Sequence, residues 1–207
     1  MAREKLRTEI RRDQILEAVL SLIATRGAKA LRMETLARRV GLVTSALYRH
    51  FHSKDEIVDA AIDLFGRMVV ENLRNAIAES TNSVECLQRL LMLQIQMIRS
   101  NHVLALPRII FSDELFVSSP RRRAKVYRLL KENLGRLRSL IRKGQQRGEI
   151  RADLDPGATA RMFLALIQSS AILWYVSDGE YDVTRHASQS WKIFRKAIAV
   201  RSRRVKK

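Results

Sequence analysis

Leu36-Ala37-Arg38-Arg39-Val40-Gly41-Leu42-Val43-Thr44-Ser45-Ala46-Leu47-Tyr48-Arg49-His50-Phe51 reads as two short helices about a tight turn. The first, over about 33–40, stops at Gly41, and the second, over about 44–51, leads with small polar residues. That order is the layout of a helix-turn-helix. The first turn of a recognition helix must come close to base edges in the major groove, and bulky side chains there would hold it away. Thr44, Ser45 and Ala46 suit such an approach. A plainer alternative is that Leu36, Leu47 and Phe51 only pack a three-helix core beneath a solvated charged face.

Working outward, Ile15, Leu16, Val19, Leu20 and Ile23 recur at spacings of three and four, which predicts a helix over about 8–26 that Gly27 closes. A basic arm, Arg3 to Arg12, runs into its first turns. Downstream, Ser53-Lys54-Asp55-Glu56 reads as a capping box that opens a long helix with Val58, Ile62, Phe65, Met68, Val69, Leu73 and Ile77 on its buried side. Further helices are predicted over 84–99, 104–111, 120–147, 156–176 and 184–200; Ser119-Pro120 and Asp155-Pro156 mark two of the starts. With 8 Gly and 3 Pro in 207 residues and little strand-type alternation, the chain reads as all-α with nine helices. Residues 1–52 form the expected DNA-binding domain and residues 53–207 a second domain.

Composition narrows the function classes. The chain carries 39 Lys and Arg against 21 Asp and Glu, a net charge of +18, which attracts polyanions over a distance. The single cysteine, Cys86, lies near Val84 and Leu87, so a buried thiol in a reducing cytoplasm is expected rather than a disulfide framework. The N-terminus lacks the apolar core of a signal peptide. The longest apolar stretch, Met162 to Val176, is interrupted by Gln168, Ser169 and Ser170 and reads as too short for a bilayer, so no membrane partner is expected. There is no Gly-rich phosphate loop, no Cys or His cluster at ligand spacing and no nucleophile–base pair, which argues against an enzyme, a cofactor or a metal site. His50 and His52 flank Phe51, but side chains two apart on a helix end diverge.

Leu47-Tyr48-Arg49-His50-Phe51 followed by Ser53-Lys54-Asp55-Glu56 resembles the TetR family of bacterial transcriptional regulators, whose N-terminal domain has this order after an amphipathic helix ending in Gly. The likeness is specific over residues 10–65 and continues more weakly through Arg147-Gly148-Glu149-Ile150-Arg151-Ala152-Asp153-Leu154-Asp155-Pro156. It implies that Tyr48 and Lys54 contact phosphates, that Val43, Thr44, Ser45, Ala46 and His50 line the groove, and that Arg32 and Arg49 belong to the same DNA-facing set. The family often places Ser or Thr at the caps of the second and third helices, where this chain has Arg32 and Val43.

The resemblance also implies a cavity for a small-molecule effector, with Met68, Met92, Gln96, Met97, Phe111, Tyr127, Phe163 and Gln168 as candidate lining residues. Met and aromatic residues at helical spacing read first as core; only Gln96 and Gln168, amides set among apolar neighbours, point towards a ligand. Phe163, Ile167, Ser170, Ala171 and Trp174, with Trp191, Phe194 and Ile198, carry more apolar surface than one domain edge needs, so a homodimer is expected there. Two recognition helices about 34 Å apart would then match a palindromic operator in double-stranded DNA. An effector that tilts the fourth helix would change that spacing and release a repressor. A second reading is a DNA-bound protein that acts through a protein partner without a small ligand.

The charge is not concentrated in the head. Residues 119–151 hold 12 Lys or Arg against 2 Asp or Glu, whereas residues 1–54 hold 12 against 5. This is either a solvated helix face or a docking site for an anionic effector or acidic partner near Arg121, Arg122, Arg123 and Lys125.

Overall fold

The computed structural model describes residues 2–100, 105–110, 112 and 116–200, apart from the side chains of residues 2–7, 28 and 105–107. Among the described residues it is all-α: α1 (Ala2–Arg26), α2 (Met33–Arg39), α3 (Thr44–His50), α4 (Lys54–Ala78), α5 (Ser83–Arg99), α6 (Ala105–Ile110), α7 (Pro120–Gln146), α8 (Pro156–Val176) and α9 (Val183–Ile198). A single 3-10 turn, Ala28–Ala30, follows α1. Apart from the start of α1, the bounds lie within two residues of those expected. That helix begins at Ala2, so the whole basic run Arg3 to Arg12 is helical, where the expected start was near residue 8. Arg, Lys, Glu and Leu are all good helix formers, and nothing in that run stops the helix.

Two compact units emerge, residues 1–69 with 97–127, and residues 70–96 with 128–207. In the first, α2 and α6 both pack on α1, and α3 packs on α2. Its core holds Ile15, Leu16, Val19, Leu20 and Ile23 together with Leu36, Leu47, Phe51, Ile57, Val58 and Ile62. The start of α7 is fixed to the start of α4 by charge. Arg122, only 2% exposed, donates through Nε to Asp59 (2.7 Å) and through Nη2 to the Asp55 carboxylate (2.8 Å). Lys125 adds an ion pair to Asp63 (2.5 Å) and a hydrogen bond to the Asp59 carbonyl (2.8 Å). Asp55, Asp59 and Asp63 are spaced by four, so they form one acidic row along α4. The docking of an anion on Arg122 and Lys125 is therefore corrected: both cations already hold aspartates inside the chain.

In the second unit α8 packs on α9. Phe163 and Phe194 lie 5.7 Å apart, and Trp191 and Phe194 5.9 Å. The Asp155 carboxylate accepts from Ala158 N (2.6 Å) with Pro156 at the first helical position, as the sequence implied. Gly148 (φ +70°) ends α7, with Glu149 N reaching back to the Gly144 carbonyl. Burial pushes the Cys86 thiol up to about 11, which suits an inert core residue. With 21 residues, α8 is long and apolar enough to cross a bilayer by length and composition, which corrects the expectation from Met162 to Val176 alone; the helix gains six residues, Pro156 to Arg161, ahead of that stretch.

Candidate nucleic-acid interface

The turn between α2 and α3 is built as the sequence requires. Gly41 takes φ +67°, Leu42 N bonds back to the Ala37 carbonyl (2.9 Å) and Gly41 N to the Arg38 carbonyl (3.3 Å). This pair of bonds satisfies the last carbonyls of α2 and needs a left-handed residue at position 41. No neighbour would meet a Cβ there, so the requirement for glycine is conformational and not one of space.

Helix α3 then presents a sharply divided surface. Leu47 and Ala46 are buried, which fixes the helix to the core. Val43, Ser45, Tyr48 and Arg49 are exposed, and Thr44 and His50 half-exposed. Ala46 is thereby corrected: it supports the recognition helix from beneath and does not line a groove. At the caps of α2 and α3, Arg32 and Val43 make no side-chain cap bond, so the departures read in the sequence leave both helix starts with free backbone amides. Free amides at the start of a helix that faces outward are suited to phosphate.

The junction from α3 to α4 is tied by side-chain hydrogen bonds. Ser53 Oγ accepts from Glu56 N (3.1 Å), and Glu56 accepts from His52 N (2.7 Å), so the capping box forms with the carboxylate displaced by one residue. The His52 amide, with Arg12, holds the Glu56 carboxyl below its ordinary range. Arg12 also donates to the His50 carbonyl and stacks 4.1 Å from the centre of the Phe51 ring. Arg11 caps the end of α2 through the Val40 carbonyl (2.9 Å). Two cations of the basic run Arg3 to Arg12 thus anchor the ends of α2 and α3. Their positions one turn before Ile15 and Leu16, on the inward stripe of α1, were the available signal. Burial, followed by the charges of Arg12, Arg11 and Arg49, lowers the affinity of His50 for a proton. Lys54 is the first residue of α4, half-exposed, in position to meet a phosphate at that helix start.

The other expected sites separate on structure. Met68 and Met92 are half-buried and Met97 is buried, while Gln96, Gln168 and Tyr127 are exposed. The two amides taken as ligand markers face outward, and Gln94 is the buried one. Phe111 lies outside the described residues. Phe163, Ser170, Ala171, Trp191, Phe194 and Ile198 are buried within the chain itself, and Ile167 and Trp174 are half-buried. The stripe read as a dimer face is therefore mainly the seam between α8 and α9. The apolar positions left open are Met162 (61% exposed), Ile172, Leu173 and Val176 (73%) on α8 and Ile193 (73%) on α9.

Residues 15–66 match the description "Bacterial regulatory proteins, tetR family", and residues 64–197 match "YsiA-like protein, C-terminal region". The chain is 27% identical over 173 residues to the fatty acid metabolism regulator protein of Bacillus subtilis, spanning 82% of this chain and 86% of that one. It is 26% identical over 184 residues to the nucleoid occlusion factor SlmA of Vibrio atlanticus, spanning 88% and 93%. The crystal structure of the transcriptional regulator FadR from Bacillus subtilis in complex with stearoyl-CoA shares the fold, with TM-score 0.75, 21% identity and coverage of 89% and 98%. With an outward-facing recognition helix and family matches that together run from residue 15 to residue 197, this chain belongs to the TetR family and is a DNA-binding regulator of transcription.

Proposed function

We propose that this chain is a homodimeric, non-enzymatic repressor in the cytoplasm that binds a palindromic operator and is released by a long-chain acyl-CoA. Residues 1–52 act as the DNA-binding domain and residues 53–207 as the effector and dimerisation domain. The observation that carries the DNA half is the divided surface of α3, with Leu47 and Ala46 buried and Val43, Ser45, Tyr48 and Arg49 open. Ser45, Thr44 and Val43 read base edges; Tyr48, Arg49, Arg32 and Lys54 hold phosphates; His50 lies at the groove edge.

The dimer forms through Met162, Ile172, Val176 and Ile193, an apolar strip whose burial by a second copy removes it from water. The partner is a second copy rather than a bilayer because only one side of α8 is open: Phe163 and Ala171 are buried within the chain, and α9 beside it carries Arg185, Lys192, Arg195 and Lys196 in exposed positions. The effector class rests on the likeness to the fatty acid metabolism regulator and to FadR. An acyl-CoA is an apolar chain with an anionic head, which suits a chain of net charge +18 whose α7 exposes Arg128, Lys131, Arg138 and Arg142. Because three residues separate α3 from α4, a shift of α4 on effector binding moves the recognition helix with it.

The test selects DNA from random duplexes with the purified protein, then titrates stearoyl-CoA against the selected site. A palindrome with half-sites one helical turn apart, released by stearoyl-CoA, is the expected result. Binding to the same site that is indifferent to acyl-CoA would remove the effector class. Likeness to SlmA gives the second reading weight; many dispersed genomic sites, with no release by acyl-CoA, would favour it.

A further inference from the structure

The cations of α7 fall into two sets. Near the helix start, Arg122 and Lys125 are held by the aspartates of α4. Further along, Arg128, Lys131, Arg138 and Arg142 are all exposed, and none of the four has an ion pair or hydrogen bond among the described residues. Together with Gly135 they follow one another at spacings of three, four, three and four, so the five positions share one flank of the helix. From Arg128 to Arg142 that flank runs about 21 Å along the axis, at 1.5 Å per residue. Glu132, the one acidic residue of α7, does not neutralise it: its carboxylate is paired with Arg136 (3.5 Å).

Gly135, at the middle of this row, has no use inside the chain. Glycine within a helix is destabilising relative to alanine, and one reason to keep it is close approach to the backbone. A Cβ at Gly135 would meet nothing within 4 Å among the described residues, whereas one at Gly144 of the same helix would meet Ser83 and Ile150 at 2.8 Å. Gly144 is therefore a packing glycine, and Gly135 leaves a bare stretch of helix between Lys131 one turn before and Arg138 one turn after. Attraction of an anionic effector needs only net charge; a regular row of cations about exposed backbone suits an extended polyanion. No large apolar side chain is exposed from Arg128 to Gln146, so the flank lacks the anchors that a protein partner uses. Three of its four cations are arginines, whose forked donors match phosphate oxygens, and its length is that of roughly six phosphates along one strand. Duplex DNA is also the polyanion held beside this protein whenever α3 is on its operator. We infer that this flank of α7 docks a second DNA duplex by its phosphate backbone, without regard to base sequence, with one phosphate set against the helix at Gly135.

The test holds full-length protein on a bead-bound operator, selected as above, and offers a fluorescent duplex of alternating poly(dA-dT) that lacks the operator. Wild-type protein should capture this duplex at 50 mM salt and bind it about a hundredfold more weakly at 200 mM, the dependence of roughly four phosphate contacts. Replacing Arg128 and Arg138 together by Gln should halve the salt slope and weaken capture by roughly tenfold, with operator affinity unchanged. Gly135→Leu should weaken capture similarly while raising the melting temperature, because leucine is the better helix former. Gly135→Ala repeats the measurement with a smaller side chain should the leucine variant not fold. No capture by wild-type protein, capture that survives the double Gln change, or a melting temperature that falls in both glycine variants would overturn the inference. Binding of poly-glutamate with no capture of the duplex would also overturn it, and would make the partner an acidic protein.

Discussion

Two helix pairs in this molecule are joined by opposite means. In the first unit the start of α7 is locked to α4 by Arg122 and Lys125 against Asp55, Asp59 and Asp63. In the second, α8 and α9 are joined by Phe163, Ala171, Trp191 and Phe194, with no ion pair between them among the described residues. Charge fixes register, because a guanidinium that serves two carboxylates has few acceptable positions, but it returns little net stability once desolvation is counted. Apolar packing supplies stability without much direction. The two contacts stand in different places: the directional one lies on the first turns of α4, which follows the recognition helix, and the apolar one leaves Met162, Ile172, Leu173, Val176 and Ile193 open beside it.

The strongest way to break this comparison is at the aromatic seam. Phe163→Ala should lower unfolding free energy by about 3–5 kcal/mol in urea titration, since the ring is fully buried and its neighbours cannot close the gap. A loss under 1 kcal/mol would mean the seam is loose. Arg122→Met should cost about 2–4 kcal/mol by the same measurement, because it strands Asp59, while the exposure of Asp55 limits the penalty. Adding Asp59→Leu to that variant should restore most of the stability while leaving operator release by effector altered; if stability stays low, the charge pair was a net stabiliser and the contrast drawn above fails.

At the open strip, Val176→Glu should raise the dimer dissociation constant by roughly ten- to a hundredfold in sedimentation, with the stability of the single chain changed by less than about 0.5 kcal/mol. Unchanged dimerisation would put the partner elsewhere. The smallest effect is expected at His50. Its pKa is lowered in the fold, so the neutral form is favoured, and the destabilisation due to His50 appears only as pH falls below the unfolded value near 6.5. Phosphates close to His50 would reverse this by favouring its charged form, so operator affinity should strengthen as pH drops from 8 to 6, by less than tenfold per pH unit, and His50→Gln should flatten the slope. An identical slope in the variant would take His50 out of the groove.

What the sequence determined by itself is whatever depends on near neighbours along the chain. The apolar period and the scarcity of Gly and Pro settled the nine helices found among the described residues; Gly41 settled the turn, because its conformation is local; Ser53 and Glu56 settled the start of α4, because a cap reaches only three or four residues. Tertiary structure decided which side of each helix is covered, since that depends on which distant helix lies against it. Ala46 looked like a groove residue and is a support; Gln96 looked buried and Gln94 is; Phe163 and Trp191 looked like a dimer face and close the chain's own seam. On a helix a shift of one or two positions turns a side chain by 100° or 200°, enough to exchange inside for outside while leaving the periodicity unchanged. The acidic row of Asp55, Asp59 and Asp63 was visible in the sequence, but only the fold brought Arg122 and Lys125 to it across more than sixty residues of chain.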